Sequence, residues 1–438
     1  MTQTAIDPIP RSQAEINQAK IAKTLHQQGT LSRAQIARAL HLTAPAISKL
    51  AARMIDQELI QEVGDMPGAG NRRSIGLRLK YEGYKVCAVK FARSRIQIGL
   101  FDLAGHPLQL MELPSINEAS IPKAVTDVQI EVQKFINRDP TIIAVGIAVP
   151  GPYLRNEGRI ALVTSMQGWR GINFIEAFND AFTVPTFIEQ DARAGALAQS
   201  LFVPAFSSTN LAYYLVGEGV GLGVIEQGNL INGAQGGATE LGHISIDING
   251  KTCECGNQGC LERYCSAVAI HQAMCQPPYV SHLADASNLN HAAACQLLFY
   301  RAEQGDELAQ TLVEHIADYV GYGCVNIVNA FNPAHIVIGD IVAGAGQPLL
   351  ERVRAIVAKR ALPALNNQTH ICLSHLPADA TLMGAAAVAV SNFLLYPTYF
   401  ARLVQKRTMN SVGKQQSHTT TMPPANQTKG HLPRKDNI

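Results

Sequence analysis

The sequence predicts two joined units: a small head of three helices and a β-hairpin, then a large α/β body. Three observations predict this. Before residue 56, three short runs carry apolar residues at helical spacing, each with its own start or stop signal. After about residue 84 the texture changes to β-rich runs alternating with helical ones. The chain has 438 residues, too many for one ordinary core, and is 47% hydrophobic and 16% charged, as a well-buried globular protein is.

In the head, Ile16–Gln28 is amphipathic and stops at Gly29. Ser32-Arg-Ala-Gln35 is a capping box opening a second short helix with Ile36, Ala37 and Leu40. Thr43 caps a third, with Pro45 in the first turn, where a missing N–H costs nothing. Its apolar stripe is Ile47, Leu50, Ala51, Met54 and Ile55, and its other side carries Ser48, Lys49 and Arg53. A strand at Leu59–Val63, a loop of Gly, Asn and Arg at Gly68–Arg73 and a strand at Ser74–Leu79 follow. Three helices and a hairpin with a basic tip make a winged helix-turn-helix over residues 1–80. Such a head would present Ala44, Pro45, Ser48 and Lys49, behind the Thr43 cap, to base edges of double-stranded DNA. Arg53 suits a phosphate, and Arg72 and Arg73 suit the backbone or the minor groove. The alternative is a helical protein–protein module with solvated Lys and Arg.

Charge favours the first reading. Residues 1–80 carry a net +5 and residues 405–438 another +5; with a chain total of +2, the stretch between stands at −8. A basic head on an acidic body is the distribution expected where the head meets phosphate. No apolar run approaches a membrane span, and Asp7, Arg11 and Glu15 interrupt any signal-peptide pattern, so a cytoplasmic protein is expected.

In the body, Val86–Phe91 with Arg95–Leu103, and Leu211–Gly217 with Gly219–Ile225, read as hairpins. Ile142–Val149 and His335–Ile338 read as buried strands, and Pro185–Glu189 as a strand entering a helix at Asp191. The sequence after about Gln405 is rich in Thr, Gln, Asn, Pro and Lys without periodicity, so residues 405–438 are expected to form a disordered basic tail.

The most informative stretch is Glu240-Leu-Gly-His243 followed by Cys253-x-Cys255-x4-Cys260-Leu-Glu262. One imidazole and three thiolates form a closed tetrahedral set, the arrangement of a structural Zn²⁺ site, with Gly256 and Gly259 allowing the loop 243–260 to fold tightly.

These motifs resemble those of the ROK family of repressors and kinases. The resemblance implies an actin-like, two-lobed sugar-kinase fold over residues 84–395, and the head is similar to that of the family's repressor branch. It implies that Gln190, Asp191, Glu240, His243 and Glu262 form the sugar site, with Glu240, His243 and Glu262 holding hydroxyls, Asp191 matching the family's catalytic aspartate and gripping a hydroxyl, and Gln190 standing at the neighbouring contact where the kinases usually have Asn. Read without the family, Asp191 is a helix N-cap.

The chain departs from the family's kinases in all three nucleotide motifs. Where an Asp-x-Gly-Gly-Thr turn would cradle phosphate and magnesium it has Lys90, Ala92, Arg93 and Ser94. The second phosphate loop keeps Gly217, Gly219, Gly221 and Gly223, but the family's Thr is Glu218. A carboxylate there repels a triphosphate by roughly 4 kcal/mol per charge pair at 4 Å and an effective dielectric near 20. The later Gly-Gly reads Gly339-Asp340. The expectation is therefore a non-enzymatic repressor of sugar uptake or metabolism genes, acting as a homodimer or homotetramer on a symmetric operator. Its signal would be a sugar, a sugar phosphate or capture by a membrane sugar transporter of the phosphotransferase system. The alternative is an ATP-dependent hexose or N-acetylhexosamine kinase. Finally, Phe393–Leu403 is amphipathic, with Pro397 awkward inside it.

Overall fold

The computed structural model describes residues 11–66, 74–163, 166–207 and 209–419. In the head, α1 (Gln13–Gln28), α2 (Arg33–Leu40) and α3 (Ala44–Asp56) surround the apolar residues Ile21, Leu25, Ile36, Ile47, Leu50 and Met54. Capping boxes close α1 at Ser12 with Glu15 and α2 at Ser32 with Gln35. Strands β1 (Leu31–Ser32), β2 (Ile60–Met66) and β3 (Ser74–Leu79) form an antiparallel sheet in the order β1-β3-β2. This is a winged helix-turn-helix arrangement; the wing tip, with Arg72 and Arg73, lies outside the described residues.

A single turn at Tyr81–Gly83 leads into the body. Its first sheet comprises β4 (Lys85–Phe91), β5 (Ile96–Asp102), β6 (Pro107–Glu112), β7 (Ile142–Val149) and, beyond the short hairpin of β8 (Tyr153–Leu154) and β9 (Arg159–Ile160), β10 (Thr186–Gln190). Its second sheet comprises β11 (Leu211–Val216), β12 (Val220–Glu226), β13 (Asn229–Leu230), β14 (His335–Gly339) and β15 (His370–Leu373). The two sheets repeat one plan, β6-β5-β4-β7-β10 and β13-β12-β11-β14-β15. In each, three antiparallel strands are extended by two parallel ones. Parallel strands need crossovers. In the first lobe α4 (Ile121–Arg138) and α5 (Phe174–Phe178) supply them. In the second, α7 (Glu262–Cys265), α8 (Ala267–Met274), α9 (His291–Glu303) and α10 (Glu307–Phe331) precede β14, and α11 (Gly346–Arg360) and α12 (Pro363–Asn366) precede β15. The duplicated plan is the two-lobed, actin-like α/β fold expected from sequence. Every residue of β7 and β11 is buried, which explains their unbroken apolar runs.

Two helices cross between the lobes. α6 (Asp191–Phe202) packs on β11 and β12, and α13 (Ala380–Leu395) packs on β4 and β7. A Cβ added at Gly384 would lie 2.4 Å from the backbone of Ala194, so the two backbones touch. Both helices start at the cleft between the lobes and end at the head. His26 Nε2 lies 3.1 Å from the Leu201 carbonyl near the end of α6. Arg11 Nη1 donates to the Leu395 carbonyl at 2.9 Å at the end of α13.

Pro397 interrupts the C-terminal amphipathic segment as its chemistry requires: α13 stops at Leu395, and the chain bends by 101° into α14 (Pro397–Thr419), where proline takes the first position. The tail expectation needs correction. Helix α14 runs on through Gln405 to Thr419, because Arg407 donates to the carbonyls of Ile136 (2.8 Å) and Ile142, while Leu403 and Val404 pack against the body. Residues 420–438 lie outside the described residues. No single helix among the described residues is long and apolar enough to cross a membrane.

A branched side chain at the helix crossing should be costly. Gly384→Val is expected to lower unfolding free energy by about 1–3 kcal/mol or more in urea titrations. Gly171→Ala, where an added Cβ meets nothing within 4 Å, should leave it unchanged.

Candidate functional site

The cleft is lined from the first lobe by the β4–β5 turn (residues 90–95) and Pro150–Pro152, and from the second by Gly219–Gly221, Glu240, His243, Glu262 and Asp340. Gln190 and Asp191 face it from the start of α6. All five sequence-predicted sugar residues therefore converge on one cleft.

Gln190, rather than Asp191, is the N-cap of α6. Its side-chain oxygen accepts from the Arg193 N–H at 3.0 Å, which leaves the amide NH₂ to face the cleft. Asp191 is the first helical residue and accepts from the Ala192 N–H at 2.6 Å. Burial pushes its carboxyl up to about 7, with nearby Asp340 adding to the shift and Lys90 and Arg93 opposing it. Glu240 is pushed up to about 8, first by burial and then by Asp191 and Glu262. The short turn after it, Leu241–His243, lies flat against β12. A Cβ at Gly242 would sit 2.3 Å from the Val220 carbonyl, so only glycine permits the approach. Glu262, at the start of α7, accepts from the Val220 N–H at 2.9 Å and stands 3.9 Å from Arg93.

His243, Cys253, Cys255 and Cys260 offer ligand atoms that all lie within 4.8 Å of one another. Cys255 and Cys260 Sγ are 3.5 Å apart, and Cys253 Sγ is 3.8 Å from His243 Nδ1. A tetrahedral ion with metal–sulfur bonds of about 2.3 Å needs sulfurs roughly 3.8 Å apart, so the cluster fits a metal ion. The loop turns through Gly256 (φ +90°) and Gly259 (φ +69°). Burial and the neighbouring sulfurs push the Cys260 thiol up to about 12, so ligation must displace a proton. With Nδ1 facing the sulfurs, His243 keeps Nε2 for the cleft.

The structure also reveals two charged assemblies that sequence reading did not anticipate. Lys90, read there only as a lost carboxylate, places Nζ 2.7 Å from Asp379 and 3.7 Å from Asp340. Burial opposes its charge, but the two aspartates outweigh that and raise its pKa. Asp340 holds φ +71°, ψ −159°, a conformation that glycine adopts easily and a β-carbon resists. Elsewhere, Glu189 and Arg193 form a buried pair (Nε–Oε1 2.8 Å), joined by Arg155 on one side and by the Ile231 carbonyl (2.6 Å) and Asn232 on the other. The spacing of Glu189 and Arg193 by four residues was the available signal.

In the head, Thr43, Ala44, Pro45, Ser48, Lys49 and Arg53 all lie on the exposed side of α3, opposite buried Ile47, Leu50, Ala51 and Met54.

A model of the ROK family matches residues 86–392. The chain belongs to the ROK family. The xylose repressor of Bacillus spizizenii is 28% identical over 389 residues, covering 87% of this chain and 96% of that protein. The DNA-binding transcriptional dual regulator NagC of Escherichia coli (strain K12) is 27% identical over 370 residues, covering 83% and 89%. A solved ROK family transcriptional regulator, a homolog of the Escherichia coli MLC protein, has a TM-score of 0.70, with 90% of this chain and 98% of that one covered. At 24% identity that likeness concerns the fold.

The raised carboxyl of Asp191 has a definite consequence. Its folded pKa exceeds its unfolded value, so its contribution to stability is complete below about pH 4 and is lost as pH rises through about 7. Urea titrations from pH 5 to 8 should show a steeper loss of stability in the native protein than in Asp191→Asn; parallel curves would contradict the shift.

Proposed function

We propose that the chain is a sugar-responsive transcriptional repressor in which the ROK body is a sensor and not a kinase. α3 and the wing read double-stranded operator DNA, and Gln190, Asp191, Glu240, His243 and Glu262 hold a sugar-type effector. The observation that carries this reading is the Lys90 ammonium locked between Asp379 and Asp340. A phosphotransferase needs that wall of the cleft open for phosphate and its counter-ion. Here a tethered cation satisfies the carboxylates permanently. Relatives matched over most of their length, one named a xylose repressor and one a DNA-binding transcriptional dual regulator, support the same reading.

A kinase reading predicts sugar-dependent ADP release that Asp191→Asn abolishes; the repressor reading predicts none above background. Asp191 and Glu240 then serve as acceptors for hydroxyl protons, with no general base required.

Four further assignments belong to this proposal. The His243/Cys253/Cys255/Cys260 cluster holds one structural Zn²⁺ per chain, which would fix the turn carrying Glu240 and the start of α7 carrying Glu262. The chain works as a homodimer or homotetramer, since a two-fold operator requires at least two heads. It acts in the cytoplasm. The effector enters the cleft as a small sugar compound. Capture by a phosphotransferase-system transporter, the other route, would act without filling the cleft, so a sugar-induced melting shift separates the two.

Two measurements test the core of this. Lys49→Ala should weaken binding to an operator selected from random DNA and lower the salt slope by about one. Its stability should be unchanged, because Lys49 is exposed. Metal analysis should find one zinc per native chain and none in Cys255→Ser, whose sugar-induced melting shift should also shrink.

A further inference from the structure

Arg93 belongs to the turn that sequence reading treated only as a ruined phosphate cradle. Its backbone is firmly held: its carbonyl accepts from Trp169 Nε1 at 3.0 Å, and the indole is wedged against Phe91 and Phe174. The flanking Ala92 N–H donates to the Arg95 carbonyl at 2.8 Å. From this fixed base the side chain reaches across the cleft to the second lobe. It is 9% exposed, and Nη2 stands 3.9 Å from Glu262. Nη1 is buried and has no hydrogen-bond partner among the described residues. A buried guanidinium nitrogen without a partner is costly, and it lies in a cleft that also presents Asp191, Glu240 and Glu262.

The same side chain occupies the glycine turn. A Cβ at Gly219 would lie 2.7 Å from Arg93 Nη2 and 2.9 Å from Glu262 Oε2, so guanidinium and carboxylate together fill the concavity. The Val220 N–H of that turn is already given to Glu262 at 2.9 Å. Five carboxylates (Asp191, Glu218, Glu240, Glu262 and Asp340) line the cleft against three cations, and Lys90 is committed to Asp340 and Asp379. A phosphate dianion would meet carboxyl oxygens in a cleft where Lys90 and Arg93 already face Asp340, Asp379 and Glu262, whereas hydroxyl groups would meet acceptors together with donors on Arg93 and the Gln190 amide.

We propose that Arg93 is an effector-contacting residue: its unpaired Nη1–H donates to an oxygen of an uncharged monosaccharide, and its guanidinium closes the turn against phosphorylated sugars. The proposal rests on the sensor reading above and names its ligand class. Because Arg93 extends from the first lobe and Glu262 stands on the second, one sugar touching both would tie occupancy to the angle between the lobes.

The test is isothermal titration of the full-length protein with D-xylose, D-glucose, N-acetyl-D-glucosamine and the 6-phosphates of the two hexoses, using native protein, Arg93→Ala and Arg93→Lys. Operator binding without sugar serves as the control for folding. Expected results are binding of at least one neutral sugar to native protein, weakened roughly 10- to 100-fold in Arg93→Ala. Arg93→Lys should restore part of that loss, and sugar-free operator affinity should be unchanged in both variants. Native affinity in Arg93→Ala would overturn the contact while leaving the sensor reading intact. Tighter binding of a 6-phosphate than of its parent sugar would overturn the ligand class. Binding of no member of the panel to native protein would overturn the proposal together with the sensor reading beneath it.

Discussion

The structure depends on the contact between α6 and α13. Their backbones meet where Gly384 lies against Ala194 and Gly195, with no side chain between them. Close-packed interiors do not deform continuously, so a displacement of one helix must be followed by the other. The positions of their ends give that constraint its meaning. Asp191 opens α6 and Asp379 caps α13, both at the cleft. Leu201 and Leu395, near the opposite ends, offer their carbonyls to His26 and Arg11 of the head. Beyond the bend at Tyr396, Thr398 on α14 donates to Gln18 of α1 at 3.0 Å. Cleft and head are thus joined by two rods whose backbones touch about one turn in from their cleft ends, and the apolar core runs unbroken from α1 to α13.

Electrostatics explain how the cleft can remain concave, acidic and folded at once. Each cluster of carboxylates has an internal cation: Lys90 for Asp340 and Asp379, Arg193 and Arg155 for Glu189, and Arg93 for Glu262. Removing one member of such a buried pair strands the other, which costs far more than the pair contributes. Among the described residues, Asp191, Glu218 and Glu240 have no ion-pair partner of this kind; burial raises the proton affinity of all three, that of Asp191 to about 7 and that of Glu240 to about 8. The groups left uncompensated are those facing the space where a ligand fits.

Much of this was legible in the sequence wherever the signal is local. The capping box at Ser32, the N-cap at Thr43, the unbroken strand Ile142–Val149 and the spacing of Cys253, Cys255 and Cys260 each depend on residues a few positions apart. The Glu240/His243/Glu262 group was placed in one site through the resemblance to the ROK family, and the three residues do line one cleft. What could not be read involves partners distant along the chain. Lys90 meets Asp379 across 289 residues, and nothing in either neighbourhood marks the pairing. Arg407 was assigned to a featureless tail because its helix is held by carbonyls of α4 and β7 and not by its own apolar stripe. Gln190 was read as a ligand contact, and only the backbone geometry reveals that its oxygen caps α6.

The central claim is that occupancy of the cleft changes the affinity of the head for DNA, without chemistry. The most direct measurement is fluorescence anisotropy of a selected operator duplex titrated with full-length protein, with and without saturating neutral sugar, alongside an assay for sugar phosphorylation in the presence of ATP. The account predicts that sugar shifts the operator Kd about 5- to 150-fold, the range of ordinary allosteric coupling, with no phosphorylated product. An operator Kd indifferent to bound sugar, or turnover of sugar to its phosphate, would contradict it.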